Sequence, residues 1–514
     1  MYSMFQQRMS VTELVEKIND LASSDLASSD LVDVIVQVKG QGTNNAELRS
    51  AASASLRRRQ MSLTPRDIIS SQAFKSRRTQ SGRKKTRSRS SAISAFKKRA
   101  TTGLDTMLKS PQIKQSLARM EKTYNNRKSK RTTVKSKFKA TPFWTSQSML
   151  LQLTKKELQS LPNEVQNIRD IRPNRKLSVP VIRANKPLAI ETEDRLSTTW
   201  GLERSNAFGA WGVYGAEGQG VTVGVLDTGI DPDHPDLAGK IAHWAEFDDM
   251  GNIIDTQNPR DSDQHGTHVA GTIAGGNASG RWIGMAPLAR IAAGLVLDGA
   301  IGGTDAQVLA GMDWAVEKGV DVINMSLGGL VMDVETPPTY SEAIVSAILA
   351  GIPVVCAIGN EGEQTSGLPG SDLFSLSVGA TDSDDRVGGF SGGRTQIVFE
   401  SDFLNSDDLP MPYIKPDLSA PGVAVFSSVP ASGWSAFSGT SMATPHVAGA
   451  IALLLSATNI RETLDGASRA FTIQELITGS VDDIGESGQD SRYGFGRLDV
   501  LRAIDFAVRD GFGN

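Results

Sequence analysis

The chain has 514 residues, more than one hydrophobic core usually organises, so its length favours two or three domains. A hydrophobic content of 39 %, 22 % charge and 50 glycines exclude a fibrous or wholly disordered protein, and the single cysteine, Cys356, excludes an intrachain disulfide. The net charge of −3 conceals two halves of opposite sign, because residues 50–140 carry 26 Lys and Arg against 3 Asp and Glu, whereas residues 190–514 carry 16 against 44.

The N-terminus shows no targeting signal. Residues 1–20, MYSMFQQRMSVTELVEKIND, lack the apolar run of about seven to fifteen residues that a secretory signal requires. The longest apolar run, residues 448–455, is far shorter than the roughly 20 residues that span a bilayer. We expect a soluble protein without membrane contacts. The cytoplasm is its default localisation, and non-standard export is the open alternative.

The first third predicts a small α+β unit. Its elements in chain order are a helix in VTELVEKINDLA, a strand in LVDVIVQVKG, one or two strands in FWTSQSMLLQLT, a helix in TKKELQSL and a strand in EVQNIRDIRPN. We assign this unit to residues 1–190 and the rest of the chain, 191–514, to a second domain.

A basic tract at about 46–140 interrupts the small unit. Its Lys and Arg residues are interleaved with Ser and Thr and few apolar residues, as in LRRRQ and KSRRTQSGRKKTRSRSS, which predicts a largely solvated, flexible insertion. Three roles are open: an easily cleaved linker, an arm that binds nucleic acid or anionic surfaces through counterion release, and a segment that docks on the acidic half. Aromatic residues are sparse in the tract and form no pattern that supports base stacking, which makes nucleic acid the less favoured partner.

The second domain alternates apolar strands with amphipathic helices. The predicted strands are 221–227, 291–297, 320–327, 353–359 and 374–380, and predicted helices lie at 306–319 and 341–351. Near-continuous apolar strands separated by helices indicate an α/β fold, with a parallel sheet covered by helices on both faces. Reactive side chains are expected at the carboxyl ends of its strands.

Three residues carry chemistry at such positions. Asp227 ends the first strand in VGVLDTGID, His265 opens the small-residue helix HGTHVAGTIAGG, and Ser441 lies in SGTSMATPHVAGA at the start of an apolar helix. A serine hydroxyl becomes nucleophilic when an imidazole removes its proton, and a carboxylate holds that imidazole in one tautomer. Singly, Asp227 reads as a turn and Ser441 as a helix cap, but the three motifs together favour a catalytic triad.

The developing oxyanion requires hydrogen-bond donors that are already in place. Asn360, in CAIGNEG at a strand end, is the side-chain candidate, and the backbone N–H of Ser441 is the second.

The motifs VGVLDTGIDPDHPDL, HGTHVAGTIAGG, VINMSLGG, AIGNEG and GTSMATPHVAGA resemble those of the subtilase family over about residues 195–510. The chain order Asp, His, Ser is also that of subtilisin. The resemblance implies a subtilisin-like serine endopeptidase that cleaves proteins or peptides through an acyl-enzyme, with Asp227, His265 and Ser441 as triad and Asn360 in the oxyanion hole.

The resemblance also implies strand edges that pair with an extended substrate. The implied substrate-binding residues are Ser326, Leu327, Gly328, Gly329, Ala357, Gly359, Gly302 and Gly303. For Gly302 and Gly303 the alternative is a simple turn.

No cofactor is required for this chemistry, but the family implies structural calcium. Asp236, in DHPDL, matches a ligand position. The following loop GGNASGRWIG departs from the family pattern, since Ala278 replaces an Asn ligand. Asp402, Asp407 and Asp408, in an apparent insertion, are alternative ligands.

The N-terminal unit resembles the inhibitory prodomain of the family. This predicts a self-processing zymogen whose own N-terminal region is an intramolecular inhibitor, cut between about 176 and 199. The alternatives are an inactive scaffold whose basic arm binds nucleic acid, and an esterase. Of the remaining histidines, His268 and His446 are expected to pack near the site, and His234 and His243 to lie in loops or on the surface. Cys356 is expected in the core, with oxidant sensing as the alternative.

Overall fold

The computed structural model describes most of the chain. The described residues are 11–23, 30–39, 89–128, 138, 142–165, 167–180, 183–184, 198–299, 301–335 and 338–513. The basic insertion expected at about 46–140 is therefore described only in part, and most of the cleavage region expected at 176–199 lies outside the described residues.

The N-terminal unit is built on an antiparallel sheet in the order β2-β1-β3. Its strands are β1 (Leu31–Val38), β2 (Ser148–Thr154) and β3 (Ile168–Pro173), and its helices are α1 (Val11–Ser23), α2 (Arg89–Met107), α3 (Pro111–Lys128) and α4 (Lys155–Glu164). Thr154 and Glu157 form a capping box that starts α4 directly after β2. The predicted α+β elements are confirmed.

Helices α2 and α3 correct the expectation of a flexible insertion for residues 89–128. Leu104, Met107 and Ile113 are buried, and they join the hydrophobic core of the N-terminal sheet. Arg119 of α3 also forms a 2.7 Å ion pair with Glu157. Among the many Lys and Arg residues, each helix carries a few apolar residues on one face. Packing of these residues against the sheet is sufficient to stabilise the helices.

The remaining described strands, in chain order, are β4 (Lys176–Leu177), β5 (Arg183–Ala184), β6 (Thr222–Asp227), β7 (Ile241–Phe247), β8 (Ile253–Asp255), β9 (Arg290–Leu295), β10 (Leu297–Asp298), β11 (Gly302–Thr304), β12 (Val322–Met325), β13 (Gly329–Val331), β14 (Val354–Ala357), β15 (Ser366–Leu368), β16 (Leu376–Thr381), β17 (Arg394–Val398), β18 (Met411–Lys415), β19 (Leu418–Pro421), β20 (Val425–Val429) and β21 (Gly433–Ser438). The remaining described helices are α5 (Trp200–Arg204), α6 (Ala207–Tyr214), α7 (His265–Ala274), α8 (Asp305–Lys318), α9 (Ser341–Leu349), α10 (Thr440–Ala457), α11 (Ile460–Thr463), α12 (Gly466–Thr478) and α13 (Val500–Ala507).

The second domain has a central eight-stranded sheet in the order β19-β16-β14-β12-β6-β9-β7-β8. All neighbouring strands are parallel except β7 and β8. The α/β fold class is confirmed, as are the five predicted strands. Strands β7, β8 and β19 were not predicted.

Helices cover both faces of this sheet. Val223 and Val225 of β6 face α7 and α10, whereas Leu226 faces α8 and α9, because successive side chains of a strand point to opposite faces. Helix α10 is long and apolar enough to cross a membrane, but 94 % of it is buried inside the structure. Most of its length is packed in the core, and its first turn carries Ser441.

Candidate active site

Asp227 is the last residue of β6, at the carboxyl edge of the central sheet. It is fully buried, and β12 and β9 pair with its strand on either side. Its Oδ1 accepts a hydrogen bond from the backbone N–H of Thr228 at 2.7 Å and lies 2.7 Å from Nδ1 of His265. A carboxylate at this distance keeps the proton on Nδ1 and leaves Nε2 as the basic nitrogen.

His265 is the first residue of α7 and is completely buried. Burial acts to lower its pKa, but the charge and hydrogen bond of Asp227 outweigh burial, and the charges of Asp261 and Asp263 add to them. The pKa of His265 is therefore raised above its usual value. The imidazolium that forms during acyl transfer is stabilised by this arrangement.

Ser441 lies in the first turn of α10, which packs against α7. Its Oγ donates to the backbone oxygen of Ser326 at 3.3 Å, and Ser326 Oγ donates in turn to the backbone oxygen of Ser441 at 2.9 Å. Nε2 of His265 makes no hydrogen bond to any described residue. The structure thus joins Asp227 to His265, while the bond between Ser441 and His265 is not formed in this conformation.

Asn360 follows β14 and is held beside the start of α10. Its Oδ1 accepts hydrogen bonds from the backbone N–H of Thr440 at 2.8 Å and from Thr440 Oγ1 at 2.9 Å. This fixes the amide so that Nδ2 is its donating end, near Gly439. Asn360 therefore contacts Thr440, the residue before Ser441. An oxyanion donor must lie this close to the nucleophile.

The residues predicted to bind substrate lie along two edges. Ser326, Leu327 and Gly328 follow β12, Gly329 opens β13, and Ala357 and Gly359 lie at the end of β14. Gly329 pairs with Leu368, and a side chain at Gly328 would meet the Leu368 oxygen at 2.8 Å. On the other edge, Gly302 has a φ of +76° and pairs with Asp298 in a hairpin. The turn considered as the alternative for Gly302 and Gly303 is therefore present, and the two glycines also form the start of strand β11.

The chain's own segment after β3 lies on these edges. Leu177 of β4 pairs with Gly303 in antiparallel register, and its side chain approaches Gly329. Farther along, Arg183 of β5 pairs with Ser438 of β21, the strand that leads into α10 and Ser441. The described parts of this segment, residues 176–180 and 183–184, are called the tail below.

His268 and His446 are buried beside backbone acceptors, whereas His243 lies in β7 and is only partly buried. Nε2 of His268 lies 2.9 Å from the Val425 oxygen, and burial lowers the pKa of His268 to about 3. Burial likewise lowers the pKa of His446 to about 4. The prediction that these two pack near the site is confirmed.

His234 lies in a loop, as expected, but its side chain is fully buried, with Nε2 2.9 Å from the Gly433 oxygen. The neighbouring residues, DPDHPDL, are mostly polar or charged, so the sequence does not indicate that His234 is buried. Cys356 is buried in β14, as predicted, and burial raises the pKa of its thiol well above the usual value.

The surroundings of Asp236 do not fit a calcium ion. Its Oδ1 accepts the backbone N–H of Ala278 at 2.7 Å, and its Oδ2 accepts the indole N–H of Trp434 at 2.7 Å. Both carboxylate oxygens of Asp236 therefore face N–H donors, whereas Ca²⁺ needs a shell of about six to eight oxygen ligands. No group of three or more acidic, His or Cys side chains suited to a metal occurs among the described residues. Of the alternative ligands, Asp402 forms a 3.3 Å ion pair with Arg169.

Two groups of functional residues escaped the sequence reasoning. Thr440 orients Asn360, and only its place next to Ser441 could have indicated it. The carboxylates that receive the N-terminal unit, Asp305 and Asp313, lie on α8, where an acidic residue is indistinguishable from a solvated one in sequence alone.

Comparison with known proteins places this geometry in a family. The model of the subtilase family matches residues 218–496. The chain is 38 % identical over 266 residues to an intracellular serine protease of Paenibacillus polymyxa, which covers 50 % of this chain and 73 % of that protein. It is 39 % identical to Subtilisin E of Bacillus subtilis (strain 168), over 47 % of this chain and 57 % of that protein. Thermitase of Thermoactinomyces vulgaris is 33 % identical over 311 residues, 60 % of this chain and 97 % of that protein. The chain belongs to the subtilase family, and the prediction of a subtilisin-like serine endopeptidase is confirmed.

Proposed function

We propose that this chain is a self-processing protease precursor, in which the N-terminal unit inhibits the peptidase domain and the tail occupies its substrate cleft. The observation that carries the proposal is the pairing of β4 with β11 and of β5 with β21. One contact is with the edge that carries Gly303, and the other is with the strand that leads to Ser441. A polypeptide bound by β-augmentation would form the same main-chain hydrogen bonds.

The chemistry follows from the site. Ser441 Oγ leaves the Ser326 oxygen and gives its proton to Nε2 of His265 while it attacks the carbonyl carbon of the substrate. Asp227 holds Nδ1–H and stabilises the imidazolium. The oxyanion is received by Asn360 Nδ2 and the backbone N–H of Ser441. His265 then returns the proton to the leaving amine, and water hydrolyses the acyl-enzyme by the same route.

The body of the N-terminal unit docks on helix α8. Both oxygens of buried Asp313 accept backbone N–H groups, from Trp144 at 2.7 Å and Thr145 at 2.9 Å. The indole N–H of Trp144 donates to Glu317 at 2.9 Å, and Lys97 of α2 pairs with the same carboxylate. A basic helix of the insertion thus contacts an acidic helix of the peptidase domain, which favours docking among the three roles open for the basic tract.

The start of the tail is fixed at the other end of α8. Arg175 forms two hydrogen bonds with buried Asp305, from Nε at 2.8 Å and from Nη2 at 3.1 Å, and the side chain of Asn174 accepts the N–H of Ala306 at 3.0 Å. The bond to Asn174 satisfies one of the free N–H donors at the N-terminus of α8. Together, these bonds also direct Lys176 and Leu177 into the cleft.

Two experiments test this proposal together. The purified wild-type chain and Ser441→Ala are compared by intact mass, N-terminal sequencing and labelling with a fluorophosphonate. We expect wild type to be cut between about 176 and 199 and then labelled, and S441A to stay whole and unlabelled. Cleavage of S441A at the same bond would show that another protease does the processing. A wild type that stays unlabelled after removal of its N-terminal unit would contradict the enzymatic function and favour an inactive scaffold.

A further inference from the structure

Three chain segments interlock around the contact between Asp227 and His265. They are residues 228–230 after β6, residues 260–262, and the first turn of α7. Ser262 N donates to the Thr228 oxygen at 2.9 Å, and Ile230 N donates to the Arg260 oxygen at 3.1 Å. Gly229 has a φ of +113°, and a Cβ there would lie 2.0 Å from the Arg260 oxygen. Gly229 therefore admits no side chain, and backbone hydrogen bonds join the two segments directly.

Asp261 lies at the centre of this junction. Its Oδ1 accepts the hydroxyl of Thr228 at 2.7 Å, next to Asp227 in the chain. Its Oδ2 accepts the backbone N–H of Thr267 at 2.8 Å and the hydroxyl of Thr267, two residues after His265. A single carboxylate therefore bridges the end of the strand that carries one catalytic residue and the start of the helix that carries another.

The bridge replaces the cap that helix α7 lacks. Gln264 precedes the helix and makes no side-chain capping bond. The free N–H groups of the first turn are instead taken by Thr228 Oγ1, which accepts from Gly266 at 2.9 Å, and by Asp261, which accepts from Thr267. Unmet donors at a buried helix N-terminus would be costly, so these two acceptors also fix where the helix begins.

Electrostatics gives Asp261 a second effect. His265 is at the first position of α7, where the helix dipole presents positive charge and disfavours an imidazolium. The negative charge of Asp261 opposes this dipole. Its hydrogen bonds to the helix end place that charge where the opposition is greatest.

We propose that Asp261 is a positioning residue for catalysis, whose carboxylate holds the strand end at Asp227 and the helix start at His265 in the geometry that lets the imidazole act as a base. The inference rests on the proposed peptidase function of the Asp227, His265 and Ser441 site, and adds a residue to it that touches neither substrate nor Ser441.

Among the described residues, the charged groups that influence His265 are Asp227 from β6 and Asp261 and Asp263 from the segment before α7. His268, one turn along the same helix, is also near but stays uncharged, since burial lowers its pKa to about 3. Asp263 provides a matched control for Asp261. It is exposed and carries the same charge close to His265, but its described contact with the junction is made by its backbone N–H.

The test compares Asp261→Asn and Asp263→Asn in the full chain after processing, by kcat, KM and their pH dependence on a peptide substrate. His265 must be neutral to act as a base, and either variant removes a negative charge that raises its pKa. We therefore expect the acid limb of kcat/KM to move to lower pH in both. At the pH plateau, we expect kcat of D261N to fall by about 10-fold or more with KM nearly unchanged, because a misplaced catalytic base loses rate but not substrate affinity. D263N should keep the wild-type kcat.

A D261N plateau kcat equal to that of D263N would overturn the proposal, since Asp261 would then act only through its charge. If D261N does not fold, Thr228→Ser and Thr228→Val carry the same test. Serine keeps the hydroxyl that joins Asp261 to Gly266, so the serine variant should retain the wild-type kcat. Valine lacks this hydroxyl, so the valine variant should have a lower kcat. An equal loss of kcat in the two variants would also overturn the proposal. Wild-type activity tests the peptidase function itself, so failure of either idea can be told apart.

Discussion

At the scale of single residues, Asn360 and its partner Thr440 determine how well the site can receive an oxyanion. Both hydrogen bonds to Asn360 Oδ1 come from Thr440. Removing one side-chain oxyanion donor from a subtilisin lowers kcat by about 10²- to 10³-fold. We expect Asn360→Ala to lose kcat to this extent with little change in KM, measured on the processed enzyme. An unchanged kcat would show that the oxyanion is bound elsewhere.

Thr440→Val should produce a smaller loss of the same kind. The valine keeps the backbone N–H bond but loses the hydroxyl, so the amide is held by one contact and samples more orientations. Thr444→Val is the control, because Thr444 Oγ1 donates only to the Thr440 oxygen one turn back along the same helix. If both threonine variants lose kcat equally, the effect belongs to the packing of α10 and not to the orientation of Asn360.

The residues that carry the chemistry can be recognised in the sequence, but the residues that hold them in place cannot. Asp227, His265, Ser441 and Asn360 each lie in a distinctive local motif at a strand or helix end. Asp261 and Thr440 act through tertiary hydrogen bonds to segments distant in sequence. Their letters, in PRDSDQHG and SGTS, are those of ordinary turns and caps.

At the scale of elements, the contact between Asp236 and Trp434 ties the β20–β21 hairpin to the loop after β6. Trp434→Phe removes the indole N–H and leaves a buried carboxylate oxygen unsatisfied, which costs about 1–3 kcal/mol. We expect a lower melting temperature for W434F. Trp244→Phe is the matched control, because the buried Trp244 indole N–H has no partner among the described residues.

The same contact predicts how the protein responds to chelators. Since N–H donors take both oxygens of Asp236, EGTA should leave the melting temperature of wild type unchanged with respect to this site. A chelator-induced loss of stability that disappears in Asp236→Asn would show that calcium binds there after all.

The elements themselves were predictable in proportion to their apolar pattern. The five predicted strands of the central sheet are nearly continuous apolar runs. Strand β7, IAHWAEF, is interrupted by His243 and Glu246, and its first three residues are only partly buried. Helices α2 and α3 were concealed by their charge. Their buried residues contact a sheet whose strands lie far away in sequence, so no local window contains the signal.

At the scale of the whole molecule, Asp313 makes docking of the N-terminal unit sensitive to pH. Burial raises the pKa of Asp313 to about 7, against the opposing hydrogen bonds from Thr145 and Trp144. The docked state therefore holds a proton on this group that the exposed, undocked carboxylate loses near pH 4. Docking is therefore strongest below about pH 4 and weakens as the pH rises from about 4 towards 7.

We expect a larger fraction of the N-terminal unit, once cut, to be dissociated at pH 7.5 than at pH 5. Size-exclusion chromatography of S441A that has been processed by a trace of active enzyme measures this fraction. Asp313→Asn should flatten this dependence, whereas Asp384→Asn, an exposed residue paired with Arg386, should not. Dissociation that is equally steep in D313N would assign the pH response to other groups.

The position of β6 in the sheet has a consequence for biosynthesis. The strand that ends at Asp227 is the first of the central sheet to leave the ribosome, yet it lies between β9 and β12, which follow it in the chain. It cannot be completed on both sides until Val322–Met325 have been made, and α10 with Ser441 is made later still. The N-terminal unit, by contrast, has all its strands from the start. A growing chain therefore completes the strands of its N-terminal unit before those of the central sheet, and a chain that terminates before residue 441 lacks the serine nucleophile.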